Sequence, residues 1–432
     1  MNIEYISFIP NTLELIIEIS VVYKNQLIMK GSSSNFIALD IGSSKISAMA
    51  AYINKQGDPT INAQVLHHSE GIRSGLITNM SIAESSLIGA IYSLEKDCSK
   101  SIKEVAISLS GVGVKSYYVS HNIKLGNQPI TQSDVKKLMN KALADFKMKG
   151  LEIIHYFPIE FMVDSNQIVE NPIGLYAKEL SCQLHIISAD CSMILNLTKC
   201  LAKYHVEVSD IIVSIYAAGL AVLTEDERKL GSIIIDFGAN TTSFGIFLDG
   251  KIIYVNHVPI GGNDITIEIA KSFSISIKEA EKLKILYGVA DPSLLIKDSV
   301  IKVDSSDQTV TAIGMSRIIQ PKLKEIFGII KKDYENMAID HLLAKQIVIT
   351  GGGAALSSLK TVVTEIFHKQ VRLAKPEIIP GFIENYNSHI HSTVLGMIKS
   401  KSLKYQKNSN GTNQFEDQHW FKRTLLWLKE NI

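Results

Sequence analysis

Two similar strand–turn–strand patterns, half a chain apart, dominate the distribution of apolar and polar residues. Apolar runs flank a short polar turn in residues 35–53 (NFIALDIGSSKISAMAAYI) and again in residues 232–254 (SIIIDFGANTTSFGIFLDGKIIY). Such runs, bounded by Gly and Asp, predict β-strands. Each turn begins with Asp-x-Gly, at Asp40 and at Asp236. The repeat predicts a duplicated domain, because solenoid repeats have much shorter periods of roughly 20–50 residues.

A third apolar run ends in a triple glycine. In residues 346–367 (QIVITGGGAALSSLKTVVTEIF), a predicted strand meets Gly351, Gly352 and Gly353, and an amphipathic helix follows. The spacing is not G-x-G-x-x-G, and no acidic residue lies about 20 positions further on, which disfavours a dinucleotide-binding Rossmann site. Glycines after a strand allow flat backbone contact with a base or sugar, and the following helix N-terminus favours negative charge.

The two turns have the residue types that phosphate binding needs. Glycine and small side chains let backbone N–H groups approach phosphate oxygens closely. An Asp repels phosphate, so it needs a cation between them, and Mg²⁺ held through water fits. A single Asp-x-Gly turn is also typical of a plain hairpin, but two copies and the triple glycine favour a nucleotide. The candidates are Asp40, Gly42, Ser43, Ser44 and Lys45 in the first turn, and Asp236, Gly238, Asn240, Thr241 and Thr242 in the second, with Asp40 and Asp236 holding Mg²⁺.

Composition limits the remaining function classes. The chain has 44 Lys and Arg against 43 Asp and Glu, so no global field attracts nucleic acid. Hydrophobic residues make up 46% and charged residues 20%, which is typical of a globular protein. No run of about 20 apolar residues predicts a membrane span. The four cysteines form no C-x-x-C pair, which favours reduced thiols over a zinc site.

The two termini differ from the rest of the chain. Recognisable order begins after Met29, and we interpret residues 1–34 as an extension whose first 28 residues are either dispensable or upstream of the native start. Residues 401–418 are polar and without periodicity, which predicts a flexible linker.

The last segment, residues 419–432 (HWFKRTLLWLKENI), predicts an amphipathic helix. Both tryptophans of the chain lie in it, and apolar and basic residues occupy opposite faces except for Leu426, a pattern typical of an interfacial membrane helix. The alternative is a terminal helix packed on the protein's own core. The predicted membrane contacts are the apolar Trp420, Phe421, Leu425, Trp427, Leu428 and Ile432 and the basic Lys422, Arg423 and Lys429.

Taken together, these motifs resemble those of a known superfamily. DIGSSK (40–45), DFGANTT (236–242) and TGGGAAL (350–356) are similar to the phosphate-1, phosphate-2 and adenosine motifs of the actin, chaperone and sugar-kinase superfamily. KEAEKLKILYG (278–288) resembles the helix whose Glu and Lys flank the adenosine, which assigns that role to Glu281 and Lys284. Within the superfamily, 108–125, 156–164, 171–180 and 217–238 resemble the FtsA family of bacterial cell-division proteins.

The resemblance implies an α/β fold. Two actin-like (ribonuclease H-like) domains would flank a nucleotide cleft, with an inserted α+β subdomain in the first half and a C-terminal amphipathic helix. The expected boundaries are 1–34 for the extension, 35–103 and 188–213 for the first domain, 104–187 for the insert, 214–257 and 331–400 for the second domain and its return to the first, 258–330 for a small partner-binding subdomain, 401–418 for the linker and 419–432 for the terminal helix.

The implied function is structural rather than enzymatic. A member of this family binds ATP and Mg²⁺, forms filaments at the division site on the inner face of the cytoplasmic membrane, and anchors there the tubulin-like ring protein FtsZ for septum formation. The small subdomain would bind FtsZ, the insert would contact neighbouring subunits and other division proteins, and the terminal helix would bind anionic lipid; no nucleic-acid partner is expected. Alternatives are a small-molecule (sugar or acid) kinase of the superfamily and an actin-like pilus-assembly protein.

Departures from the family pattern bear on nucleotide affinity and turnover. Ala239 and Asn240 stand where phosphate-2 loops usually have glycine, and Asn240 is expected to adopt a positive φ, which Asn tolerates best after Gly. Ser214 aligns with a Glu that positions the attacking water in chaperone ATPases. Loss of general-base assistance lowers a rate by about 10²–10⁴-fold, so we expect at most a very weak ATPase.

Overall fold

Two five-stranded sheets of the same topology build the two halves of the protein. The computed structural model describes residues 34–409 except 147, 296–297, 304–308, 338–345 and 384–387. The first sheet has the order β11-β6-β1-β2-β3, formed by β1 (Ser34–Ile41), β2 (Lys45–Ile53), β3 (Pro59–His68), β6 (Glu104–Leu109) and β11 (Glu207–Val213). The second has the order β14-β13-β12-β17-β18, formed by β12 (Ser232–Phe237), β13 (Thr242–Leu248), β14 (Lys251–Val258), β17 (Gln346–Thr350) and β18 (Gln370–Leu373).

The strand register repeats between the halves. β1 pairs antiparallel with β2 and parallel with β6, and β12 pairs antiparallel with β13 and parallel with β17. Asp40 lies opposite Ser47, and Asp236 lies opposite Ser243, at the same sequence offset. The predicted duplication is therefore confirmed at the level of individual residue pairs.

Helices cover both sheets and cross where the halves meet. They are α1 (Met80–Cys98), α3 (Cys191–Ala202), α4 (Ser214–Val222), α5 (Glu225–Leu230), α6 (Gly262–Phe273), α7 (Ile277–Tyr287), α8 (Ala312–Asn336), α9 (Leu359–Phe367) and α10 (Ser392–Ser409). α4 is almost entirely buried, and it packs with α10 against the first sheet. A Cβ at Gly396 would lie 1.8 Å from the Ala217 carbonyl oxygen, so the close crossing of these helices requires glycine there.

The insert has a sheet and a core of its own. Its strands are β7 (Val114–Pro129), β8 (Leu151–Val163), β9 (Gln167–Val169) and β10 (Tyr176–Asp190), in the order β7-β10-β8-β9. α2 (Gln132–Asp145) begins with a capping box between Thr131 and Asp134 and buries Leu138 and Met139 against this sheet. The α+β character predicted for the insert is confirmed.

The predicted start of the insert, at residue 104, is wrong. β6 pairs in parallel with both β1 and β11, so residues 104–109 belong to the first sheet and the insert's own sheet begins at Val114. The burial of β6 explains the difference: after Glu104 every residue is buried, as in a central parallel strand covered on both faces.

Two short hairpins complete the described fold. β4 (Ile72–Arg73) and β5 (Leu76–Ile77) form one beside the first sheet. β15 (Val300–Lys302) and β16 (Thr309–Thr311) form the other, and their buried residues share one core with α6, α7, α8 and the second sheet.

The linker prediction is wrong at its beginning. α10 continues to Ser409, so residues 401–409 are helical. Tertiary contacts hold this polar turn: the Ser402 hydroxyl donates to the Gly57 carbonyl, and Lys404 Nζ lies 3.5 Å from Asp210 Oδ2. The predicted helix at 419–432 and the extension before residue 34 lie outside the described residues. Within the described ranges, no helix is both long and apolar enough to cross a membrane.

Candidate functional site

A cleft of about 350 Å³ separates the two halves. Asp40 and Asp236 lie in its walls, near the carboxyl ends of β1 and β12. The duplication therefore brings the two equivalent Asp-x-Gly turns face to face across one space.

The two turns have the same backbone geometry. Gly42 N donates to Lys45 O at 3.0 Å, and Gly238 N donates to Thr241 O at 3.0 Å. A Cβ would lie 2.8 Å from the Lys45 oxygen at Gly42, and 2.7 Å from the Thr241 oxygen at Gly238. Both positions therefore need glycine for the same reason, which is the close approach of the chain within each turn.

The carboxyl groups of Asp40 and Asp236 are both buried, which disfavours their ionised forms. Burial raises the pKa of Asp40 to about 7, with the negative charge of Asp236 adding to the shift, although a 2.8 Å hydrogen bond from Ser108 Oγ opposes it. Burial likewise raises the pKa of Asp236 to about 6. A cation between them would favour both ionised forms.

This donor set fits Mg²⁺ better than a fully protein-bound metal. No group of three His, Cys, Asp or Glu side chains that could hold a metal occurs among the described residues. Mg²⁺ is commonly held by one or two carboxylates, with water and substrate phosphates completing its coordination. Asp40 and Asp236 would supply the carboxylates.

The main chain of the triple glycine packs closely against Asp236 and Phe237, at the start of the second turn. Gly351 has a φ of +86°, and a Cβ there would lie 2.1 Å from Asp236 Oδ1. A Cβ at Gly353 would lie 2.3 Å from the Phe237 ring. Side chains are therefore excluded at both positions by the second turn, while Gly352 between them is exposed at this wall of the cleft.

Glu281 and Lys284 lie on α7 at the same cleft. Lys284 Nζ donates to Gly262 O at 2.8 Å and to Thr266 Oγ1 at 2.7 Å, and lies 2.7 Å from Glu281 Oε2. Burial lowers the pKa of Lys284, and the Glu281 charge opposes that shift. The Lys284 ammonium group thus ties α7 to the start of α6. Burial also lowers the pKa of Lys45, so two partly desolvated amines face the cleft where an anion would stabilise their charge.

The structure brings together the predicted nucleotide-site residues with two exceptions, Asn240 and Thr242. All the others line the cleft. Thr242 is buried, and its hydroxyl donates to the Ile260 carbonyl at 2.9 Å. This hydrogen bond stabilises the second turn. Asn240 does not adopt the expected positive φ. Its side-chain oxygen instead accepts a hydrogen bond from Asn263 Nδ2 at 3.0 Å, so this departure from glycine adds a bond to α6.

Sequence reasoning missed several cleft residues. Ser47 and Ser243 both line the cleft, and their equal offset from the two Asp residues in the repeat could have revealed them. Asn263 and His389 also line it, but they are brought there by tertiary packing, for which the sequence carries no local signal.

Two halves of the same topology around one cleft, with an inserted subdomain, define the class: an actin-like fold. The chain matches the solved structure titled "PilM-PilN type IV pilus biogenesis complex" with a TM-score of 0.61 and 16% identity, covering 86% of this chain and 99% of that one. It matches MreB5 of Spiroplasma citri bound to ADP with a TM-score of 0.51 and 14% identity, covering 88% and 99%. At these identities the likeness shows the fold alone, and it confirms the predicted fold class.

Sequence comparison narrows the class to one family. The model described as "Cell division protein FtsA" matches residues 233–396, and the "SHS2 domain inserted in FTSA" matches residues 111–188. The chain is 27% identical over 415 residues to cell division protein FtsA of Rhizobium meliloti (91% of this chain, 94% of that protein) and 29% identical over 385 residues to that of Borreliella burgdorferi (87% and 93%). The chain belongs to the FtsA family of cell-division proteins, which confirms the predicted family.

Proposed function

We propose that the chain binds ATP with Mg²⁺ in the cleft and uses the nucleotide to hold its two halves together. The observation that carries this proposal is the pair of equivalent Asp-x-Gly turns that face each other across the cleft. Backbone N–H groups of both turns and the amine of Lys45 would bind the phosphates, and the wall of Gly351–Gly353 and α7 would receive the adenosine. Mg²⁺ would supply positive charge between the carboxylates and the phosphate oxygens.

Turnover of the nucleotide would be very slow or absent. Ser214 lines the cleft, but its hydroxyl donates to the Leu109 carbonyl at 3.0 Å and cannot act as a carboxylate base. Among the described cleft residues, the carboxylates are Asp40, Asp236 and Glu281. The first two are assigned to Mg²⁺, and Glu281 is paired with Lys284. We therefore propose an ATP-dependent structural role rather than an enzymatic one.

The structural role is membrane anchoring of the division ring. Family membership supports a filament-forming protein on the inner face of the cytoplasmic membrane that binds FtsZ through residues 258–330, with the insert contacting neighbouring subunits and other division proteins. The helix at 419–432 would bind anionic lipid. One short interfacial helix binds weakly, so stable attachment would need several chains joined in a filament. Anchoring and polymerisation are therefore coupled.

Sedimentation with vesicles containing anionic lipid tests the proposal. The full chain and a chain stopped after Gln418 are compared with and without Mg-ATP. The proposal expects only the full chain to pellet, and to pellet more strongly with Mg-ATP. If both chains stay in the supernatant, the anchor is wrong, and the cleft is then assayed for small-molecule kinase activity.

A further inference from the structure

One residue touches both phosphate turns. Ser74 lies at the tip of the β4–β5 hairpin in the first half. Its main-chain N–H donates to Ser43 Oγ in the first turn at 2.9 Å, and its hydroxyl donates to the Asn240 carbonyl oxygen in the second turn at 3.2 Å. The second bond joins the first half to the second beside the cleft, next to residues of both turns that line it.

The hairpin tip is held tightly in this position. Ser74 has a φ of +51°, a conformation that is unusual for a residue with a side chain. A Cβ at Gly75 would lie 1.8 Å from the Ser110 carbonyl oxygen, and a Cβ at Gly111 would lie 2.0 Å from the Ser74 carbonyl oxygen. The tip is therefore pressed against the main chain that follows β6, and it cannot shift without moving that segment.

The contact to Ser43 orients a hydroxyl toward the cleft. Ser43 lines the cleft, and its oxygen accepts the Ser74 N–H. A serine hydroxyl has one hydrogen and two lone pairs, so an oxygen that accepts in this way presents its own hydrogen for donation. A phosphate oxygen in the cleft would be the acceptor.

The contact to Asn240 fixes the opposite turn from two sides. Ser74 binds its carbonyl oxygen from the first half, and Asn263 binds its side chain from the start of α6. Asn263 N also donates to the Ala239 carbonyl oxygen at 2.7 Å. Separation of the two halves would break the bond from Ser74 and leave the bonds from Asn263 intact, because Asn263 lies in the same half as Asn240. The bond from Ser74 is therefore the one that opening of the cleft would break.

We propose that Ser74 is a positioning residue that ties the two phosphate turns together, so that release of the nucleotide requires rupture of its bond to the Asn240 carbonyl. This inference rests on the proposed nucleotide site. The ligand whose release Ser74 would slow is a nucleoside triphosphate with phosphates bound to both turns at once. Loss of the hydroxyl should speed release of such a ligand and leave the turns themselves folded.

The test compares full-length Ser74→Ala with wild type and with Ser85→Ala. Ser85 is an exposed serine of α1 whose hydroxyl donates to the Ser81 carbonyl, which makes it a matched control. The dissociation rate of fluorescently labelled ATP with Mg²⁺ is measured by stopped flow, and amide hydrogen exchange is measured over residues 236–243 in the nucleotide-bound state. A net hydrogen bond of ordinary strength predicts a release rate raised roughly 3–10-fold in Ser74→Ala, with faster exchange over 236–243 and no change in Ser85→Ala.

Two outcomes overturn the proposal in different ways. If wild type binds labelled ATP and Ser74→Ala releases it at the wild-type rate, the positioning role is wrong and the nucleotide site stands. If wild type does not bind ATP at all, both fall together. Ser74→Gly serves as a second variant, because it removes the hydroxyl and also suits the positive φ; a release rate equal to wild type there contradicts the proposal even if Ser74→Ala folds poorly.

Discussion

The hydroxyl of Ser116, in the insert, binds the main chain of Val255, in the second half. Ser116 Oγ accepts from Val255 N at 2.8 Å and lies 2.9 Å from Val255 O. His185 Nε2 also lies 2.9 Å from this hydroxyl, and the Tyr118 hydroxyl donates to Ile253 O at 2.6 Å. The insert is therefore continuous in sequence with the first half but is hydrogen-bonded to β14 of the second half. We call this set of contacts the joint, and any opening of the cleft must strain or move it.

Ser116→Ala should destabilise the protein. The substitution removes the partner of the Val255 N–H in a poorly hydrated place, and an unsatisfied buried polar group costs about 1–3 kcal/mol. Urea unfolding should show a free energy of unfolding lower by that amount. Ser133→Ala, at an exposed serine on α2, is the control and should leave the unfolding curve unchanged. Equal stability of all three proteins would show that the joint contributes nothing.

The same joint predicts a loss of stability in acid. Burial lowers the pKa of His185 to about 4 from an ordinary 6.5, although a 2.8 Å contact between Nδ1 and Ile252 O opposes the shift. The unfolded chain takes up the proton first, so the stability linked to this neutral imidazole is complete above pH 6.5 and is lost as pH falls toward 4. The full loss is on the order of 3 kcal/mol.

Unfolding free energies measured between pH 7 and 4.5 check this prediction. His185→Gln keeps a hydrogen-bond donor but cannot titrate, so its stability should fall less steeply with decreasing pH than that of wild type. Parallel pH profiles for the two proteins would contradict the assignment to His185. Burial also lowers the pKa of His155 to about 3 and raises the pKa of Asp40 to about 7 and that of Asp236 to about 6. These groups contribute slopes of both signs to both proteins, so only the difference between the two profiles is assigned to His185.

Asp236→Asn should make the affinity for ATP less dependent on Mg²⁺. The amide removes one carboxylate that would hold the ion through water, and loss of such an outer-shell partner typically weakens metal binding about 10–100-fold. It also removes a negative charge near the phosphates, so ATP affinity in EDTA should equal or exceed that of wild type. Calorimetric titration with ATP in Mg²⁺ and in EDTA gives the ratio of the two affinities. A ratio as large as that of wild type would exclude Asp236 from the ion site.

The local sequence was sufficient to predict the geometry of the two turns, but not the sheet to which β6 belongs or the residue at which α10 ends. The Asp-x-Gly turns are short, and Gly42 and Gly238 are needed for contacts within three residues, so the repeat predicted their geometry. The membership of β6 in the first sheet depends on β11, about a hundred residues away, and α10 extends past residue 400 because Gly57 and Asp210 bind its polar side chains. Asn240 was mispredicted because its partner, Asn263, is distant in sequence.

Gly351→Ala should weaken nucleotide binding through the second turn. The new Cβ would lie 2.1 Å from Asp236 Oδ1, and alanine is disfavoured at a φ of +86°. Either the Asp236 side chain moves or the wall of the cleft shifts away from it, and a misplaced phosphate turn should lower ATP affinity by about tenfold or more. Gly126→Ala is the matched control, since a Cβ there meets nothing within 4 Å and its φ is not positive. Calorimetric titration with Mg-ATP should separate the two variants. If Gly351→Ala binds as tightly as Gly126→Ala, the triple glycine is needed only for packing on Phe237, and the adenosine must lie against another wall of the cleft.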